Sequence, residues 1–100
     1  MPAYWVARSK INDADAYKQY TDRVPDIIAR FGGRVLARGG EYKILEGPEK
    51  FHRFVVIEFP SMEDAVACHA SQAYQEAAAF RKDGGAGEVE LVIVDGFVPA

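Results

Sequence analysis

The chain has 100 residues, 49% of them hydrophobic and 27% charged, and carries a formal net charge of −3. This length leads us to expect one domain over 1–100 with its core in about 3–97, and so many apolar residues argue against disorder. The negative balance offers no electrostatic basis for holding a nucleic-acid backbone or an anionic membrane surface, so neither is an expected partner.

Residues 3–9 (Ala-Tyr-Trp-Val-Ala-Arg-Ser) are aromatic and β-branched before a polar break, which reads as a first strand. From Asp13 the period changes: Ala14, Tyr17, Tyr20, Val24, Ile27, Ile28 and Phe31 recur at three- and four-residue steps, behind Asn12 or Asp13 as N-cap. This predicts an amphipathic helix, with a kink or break near Val24 because Pro25 lies inside it, and an end at Gly32-Gly33. Residues 34–38 read as a second strand stopped by Gly39-Gly40. A looser segment through Tyr42, Ile44 and Leu45 then runs to Gly47-Pro48, where a hairpin turn is expected.

Residues 52–59 (His-Arg-Phe-Val-Val-Ile-Glu-Phe) make the clearest strand and end at Pro60. Ser61 with Asp64 three residues on resembles a capping box and opens a helix through Ala65, Val66 and Cys68. A second start at Ser71 leads through Tyr74, Ala77, Ala78 and Phe80 to Arg81-Lys82. Gly84, Gly85 and Gly87 precede a strand instead of opening a helix, so a flexible connection is expected there and not a phosphate loop. Residues 88–94 close the chain as a fourth strand. The order β-α-β-β-α-β is that of a ferredoxin-like α+β sandwich, a four-stranded antiparallel sheet with two helices on one face.

A sheet covered on one side alternates apolar and polar residues. Two strands here do not: Phe54 and Val56 oppose Val55, Ile57 and Phe59, and Leu91 and Ile93 oppose Val92 and Val94. Helices on one face leave the other as an exposed apolar patch, and pairing with a second copy is the expected way to cover it.

Tyr4-Trp5, Tyr17, Tyr20, Phe31-Gly32-Gly33-Arg34, Arg38-Gly39-Gly40, Glu46-Gly47, Arg53, Glu58-Phe59-Pro60-Ser61, Ser71, Tyr74-Gln75 and Arg81 stand in an order and spacing that resemble the domain of unknown function 1330 family. That family is part of the dimeric α+β barrel superfamily. The resemblance covers nearly the whole chain and implies a homodimer formed through the sheets. It implies no established activity and no cofactor. His69, Ala73 and Pro25 depart from the pattern. Superfamily members such as cofactor-independent quinol monooxygenases and small isomerases use a pocket between helices and sheet, which is where a small organic ligand is expected.

The candidate set follows from that placement. Tyr20, Arg53 and Tyr74 are read as ligand-binding groups that can orient an anionic or phenolic molecule. His69 or Glu46 is read as a base deprotonating an acidic substrate, with Arg38 or Arg53 stabilising the anion. The bland alternative pairs Arg38 and Arg53 with Glu46 and Glu58 as structural ion pairs. A dimer that binds a ligand without turning it over is the functional alternative. Cys68, inward-facing by its helical spacing, reads as a small buried hydrophobe, and a lone cysteine is compatible with a reducing, cytoplasmic setting. No residue pattern suggests a metal: Asp13 with Asp15, and Glu63 with Asp64, suit first helical turns without one.

Overall fold

Alternation along the first strand decides the layering. In the computed structural model, which describes residues 1–99, β1 (Ala3–Ile11) sends Ala3, Trp5, Ala7 and Ser9 to one face and Tyr4, Val6 and Arg8 to the other. It pairs antiparallel with β3 (Arg53–Phe59) on one side and with β4 (Gly87–Asp95) on the other. β2 (Arg34–Arg38) adds antiparallel to β3, so the sheet order is β2-β3-β1-β4. The helices α1 (Ala14–Arg30), α2 (Met62–Ala70) and α3 (Gln72–Lys82) complete a ferredoxin-like β-α-β-β-α-α-β chain, with three helices where the sequence order leads to two, because the second is divided at Ser71. Trp5, Ile57 and Phe59 from the sheet meet Tyr20, Ile28, Cys68, Tyr74 and Ala78 from the helices in one core.

The helix boundaries follow from local capping. Asp13 accepts the Ala16 amide at the start of α1, and Ser61 accepts the Asp64 amide at the start of α2. Ser71 ends α2 and begins α3: its hydroxyl donates to the Cys68 carbonyl at 2.7 Å and accepts the Tyr74 amide at 3.2 Å. The break at this one serine turns α3 so that Tyr74 is fully buried against Trp5. α1, by contrast, runs through Pro25 without a break. The ring removes the amide that would bond the Thr21 carbonyl, but Pro25 is exposed and Thr21 half-buried, so water can serve that carbonyl.

Two connections differ from the sequence expectation. β2 and β3 pair directly, yet the residues between them, 39–52, form no further strand, and Gly47-Pro48 lies within this irregular run. The run is tied down by side chains: Tyr42 stacks on Phe54 at 4.9 Å, Arg8 lies 4.5 Å over the buried Phe51 ring, and His52 accepts the Ile11 amide and donates its own to Ser9. The glycine run after α3 is a tight 3₁₀ turn in which Gly84 and Gly85 have positive φ, and Gly87 is wedged rather than free. A Cβ on Gly87 would stand 2.6 Å from the Tyr17 ring.

The face turned away from the helices is apolar across its middle. The register lines up Ala37, Val56, Val6 and Val92 in one row across all four strands. Val92 and Val94 are 60% and 51% exposed, and no element of the described chain covers them. Ion pairs Arg8–Glu90 at 2.7 Å and Arg34–Glu58 at 3.3 Å border the row on its two sides.

Close packing at Gly87 gives a direct test of the core. Gly87→Ala is expected to lower stability by about 1–3 kcal/mol through overpacking against Tyr17. Gly40→Ala, which meets nothing within 4 Å, is expected to stay within about 0.5 kcal/mol. Urea denaturation of the two variants beside the parent checks the contrast.

Candidate functional site

The helices do not cover their face of the sheet evenly. α2 and α3 pack over β1 and β4, whereas α1 makes its main contacts with α3, leaving space between α1 and the β2-β3 half of the sheet. That space is a cleft of about 540 Å³, within the range of small-molecule pockets. Its register gives it two ends. Trp5, Val35 and Ile57 sit side by side on the sheet and face Val24, Pro25 and Ile28 of α1, forming an apolar end. Toward the start of α1, the sheet contributes Arg38 beside Val55 and Arg53 beside Ser9. Alternation puts Arg53 on the cleft side of β3, and the bulge between Val35 and Ala37 turns Arg38 to the same side, opposite Val55.

Arg38 and Arg53 are not spent on structural ion pairs. Glu58 is taken by Arg34, and among the described residues no carboxylate lies within pairing distance of Arg38 or Arg53. The Arg53 guanidinium lies 5.7 Å from the centre of the Tyr17 ring, an arrangement that holds a cation without neutralising it. Lys18 also lines the cleft, but Asp22 pairs with it at 2.8 Å.

Tyr20 lines the cleft too and is 8% exposed. Its hydroxyl lies 2.8 Å from that of Tyr74, which in turn accepts from the Arg81 guanidinium at 3.2 Å. Burial, then the neighbouring Tyr74 hydroxyl, holds the Tyr20 phenol far above its ordinary range, so it stays protonated. Arg81 is only 6% exposed and sits 5.0 Å over the Tyr20 ring. The spacing Tyr74, Ala77, Ala78, Arg81 already placed this arginine on the buried stripe of α3, a signal that its position at a helix end masked.

Glu46 and His69 are placed elsewhere. Glu46 is exposed in the connection between β2 and β3 and does not line the cleft. His69, in the last turn of α2, packs on the rings of Trp5 and Tyr74 at 5.7 and 5.3 Å and is likewise absent from the cleft wall. Partial burial, then the charges of Lys82 and Arg81, lower its pKa and favour the neutral imidazole. Cys68 is fully buried, and burial pushes its thiol up to about 11. Among the described residues no three His, Cys, Asp or Glu side chains cluster as a metal site, and no helix is long and apolar enough to cross a membrane.

The same architecture recurs in solved structures. RPA0582 from Rhodopseudomonas palustris, a protein of unknown function, superposes with a TM-score of 0.77 at 22% identity, over 98% of this chain and 84% of its own. SnoaB from Streptomyces nogalater, a cofactor-independent oxygenase, superposes with a TM-score of 0.64 at 13% identity, over 98% of this chain and 95% of its own. A dimeric ferredoxin-like protein of unknown function from Bacteroides fragilis does so with a TM-score of 0.63 at 12% identity, over 95% and 96%. No curated protein matches the chain. The family model for DUF1330, a domain of unknown function, matches residues 2–97, and with nearly its whole length so matched the chain belongs to that family.

Proposed function

We propose that the protein is a homodimer that binds a small organic acid in the cleft of each subunit. The observation that carries this reading is the pair of strand arginines, Arg38 and Arg53, with no carboxylate partner, at one end of a cleft whose other end is apolar. A cation on a partly dry surface attracts a carboxylate strongly, and a guanidinium matches its two oxygens. The apolar end, with Trp5, Ile57 and Val35, suits the hydrocarbon or aromatic body of the same molecule. The homodimer draws support from the uncovered apolar row on the sheet and from structural neighbours described as dimeric.

The likeness in fold to a cofactor-independent oxygenase brings a second reading, turnover of the bound acid without a cofactor. Cations that stabilise a deprotonated substrate favour it. With Glu46 and His69 outside the cleft wall and Asp22 bound to Lys18, the residues lining the cleft include no unpaired carboxylate or histidine to act as the base. Binding is therefore the better supported reading.

Calorimetry with phenylacetate and its neutral amide tests the acid reading. The acid is expected to bind saturably and the amide far more weakly, and Arg38→Ala or Arg53→Ala is expected to weaken the acid by about 10- to 100-fold, as for loss of a charged hydrogen bond. Equal binding of acid and amide, or no change in both variants, would sink it. For the dimer, sedimentation at micromolar concentration is expected to show two subunits in the parent and one in Val92→Lys, which would bury an unpaired ammonium at the interface. A folded parent that sediments as one subunit contradicts the pairing.

A further inference from the structure

The buried network beside the cleft has one hydroxyl hydrogen more than its Tyr20–Tyr74 bond can use. The Tyr74 hydroxyl has two partners, Tyr20 at 2.8 Å and Arg81 at 3.2 Å. A hydroxyl carries one hydrogen, and a guanidinium has donors only. Arg81 therefore donates to Tyr74. Of the two hydroxyl hydrogens one fills the Tyr20–Tyr74 bond, and because Tyr74 is fully buried while Tyr20 borders the cleft, the arrangement that strands no hydrogen has Tyr74 donating to Tyr20. Tyr20, in turn, keeps a hydrogen of its own that no protein group among the described residues accepts. It is also the one member of the network that lines the cleft.

We propose that Tyr20 presents this hydrogen to the cleft as an oriented donor, and that the ligand carries, besides its carboxylate, an oxygen acceptor such as a carbonyl, enolate or phenolate that takes it. The proposal rests on the cleft being the site of a small acid and adds the second polar group that this acid must have. Arg81 and Tyr74 are positioning residues. The charge of Arg81 polarises the Tyr74 hydroxyl, which polarises that of Tyr20, so the outermost hydrogen bond favours an acceptor bearing negative charge. Arg81 itself is a buried cation whose Nε atom has no hydrogen-bond partner and which has no carboxylate partner among the described residues. Such a charge is costly, and negative charge developing on the ligand oxygen offsets part of that cost. High burial keeps Tyr20 protonated, in agreement with its role as donor.

The geometry also orders the ligand. Arg53 stands opposite Tyr17 toward the start of α1, and Tyr20 lies one turn further on, against the Tyr74 ring. A carboxylate held by the arginines thus leaves the far end of a one-ring molecule toward Tyr20. The matching class is an aromatic or alicyclic acid with an oxo or hydroxyl group across the ring from its acid arm.

The probe is 4-hydroxy-3-nitrophenylacetate, whose phenolate absorbance reports its own ionisation while bound. In the parent, the bound phenol is expected to ionise with a constant about tenfold larger than in Tyr20→Phe, a shift of about one pKa unit. Tyr74→Phe is expected to lose part of this shift, because Tyr20 keeps its hydroxyl and the Arg81 charge over its ring but loses the hydrogen bond that relays that charge. Arg38, Arg53, Lys18 and Asp22, the charged groups facing the cleft, are common to all three proteins, so the comparison isolates the hydroxyl. Saturable binding with the same phenol ionisation in the parent and Tyr20→Phe overturns the donor and leaves the acid site standing. Absence of saturable binding to the parent overturns the acid site, and the donor with it. Should Tyr20→Phe not fold, the parent alone decides: the ionised probe is expected to bind about tenfold more tightly than 3-nitrophenylacetate, and equal affinity overturns the donor.

Discussion

Everything about the cleft depends on α1 resting on α3 instead of on the sheet. The contact is aromatic and polar at once: Tyr20 of α1 meets Tyr74 of α3 edge-on at 6.1 Å, the two hydroxyls bond each other, and Tyr17 braces Tyr20 from within α1 at 5.4 Å. Rings of this size hold the helix at a fixed height and bring their own hydrogen-bond groups into the gap. Smaller aliphatic residues at 17 and 20 would let α1 settle onto Val55 and Ile57 and close the space. Structure and site are thus the same set of side chains seen from two sides.

The unequal division of cover has a counterpart on the opposite face. With three helices on one side, the sheet has a wet side built like a dry one, and the ion pairs Arg8–Glu90 and Arg34–Glu58 mark where its apolar row stops. Alternation in β3 and β4 was enough to expose this from the sequence, because side-chain direction in a strand depends only on parity. The same parity puts Arg53 on the cleft side, whereas Arg38 gets there through the bulge between Val35 and Ala37, and the resulting register of β2 on β3 brings the two to one end of the cleft.

Local signals located the strands and helices well: Asp13, Ser61 and Ser71 cap where their side chains say they should. The extent of order in 39–52 and the tight seat of Gly87 were not legible, since both come from residues far away in sequence, Phe54 and Arg8 in one case and Tyr17 in the other. For the site, chemistry that suits a reaction was easier to read than position. Glu46 and His69 have the right functional groups, but nothing in their neighbours says which wall of the fold they join. Arg81 was the reverse case, plainly periodic with Tyr74 and Ala78, yet easily taken for a charge serving the end of its helix.

Pro25 carries one more implication. A helix resists bending because each turn is bolted to the next by amide bonds, and the bolt between residues 21 and 25 is missing by construction. Thr21, Val24, Pro25 and Ile28 all belong to the cleft wall. A small flexure of α1 at this joint therefore sacrifices no backbone bond, and it changes the separation of the wall from Val35 and Ile57 while the Tyr20 end stays anchored on α3. One end of the cleft is thus anchored by the Tyr20–Tyr74 bond, and the other is walled by a helix turn that lacks one of its own.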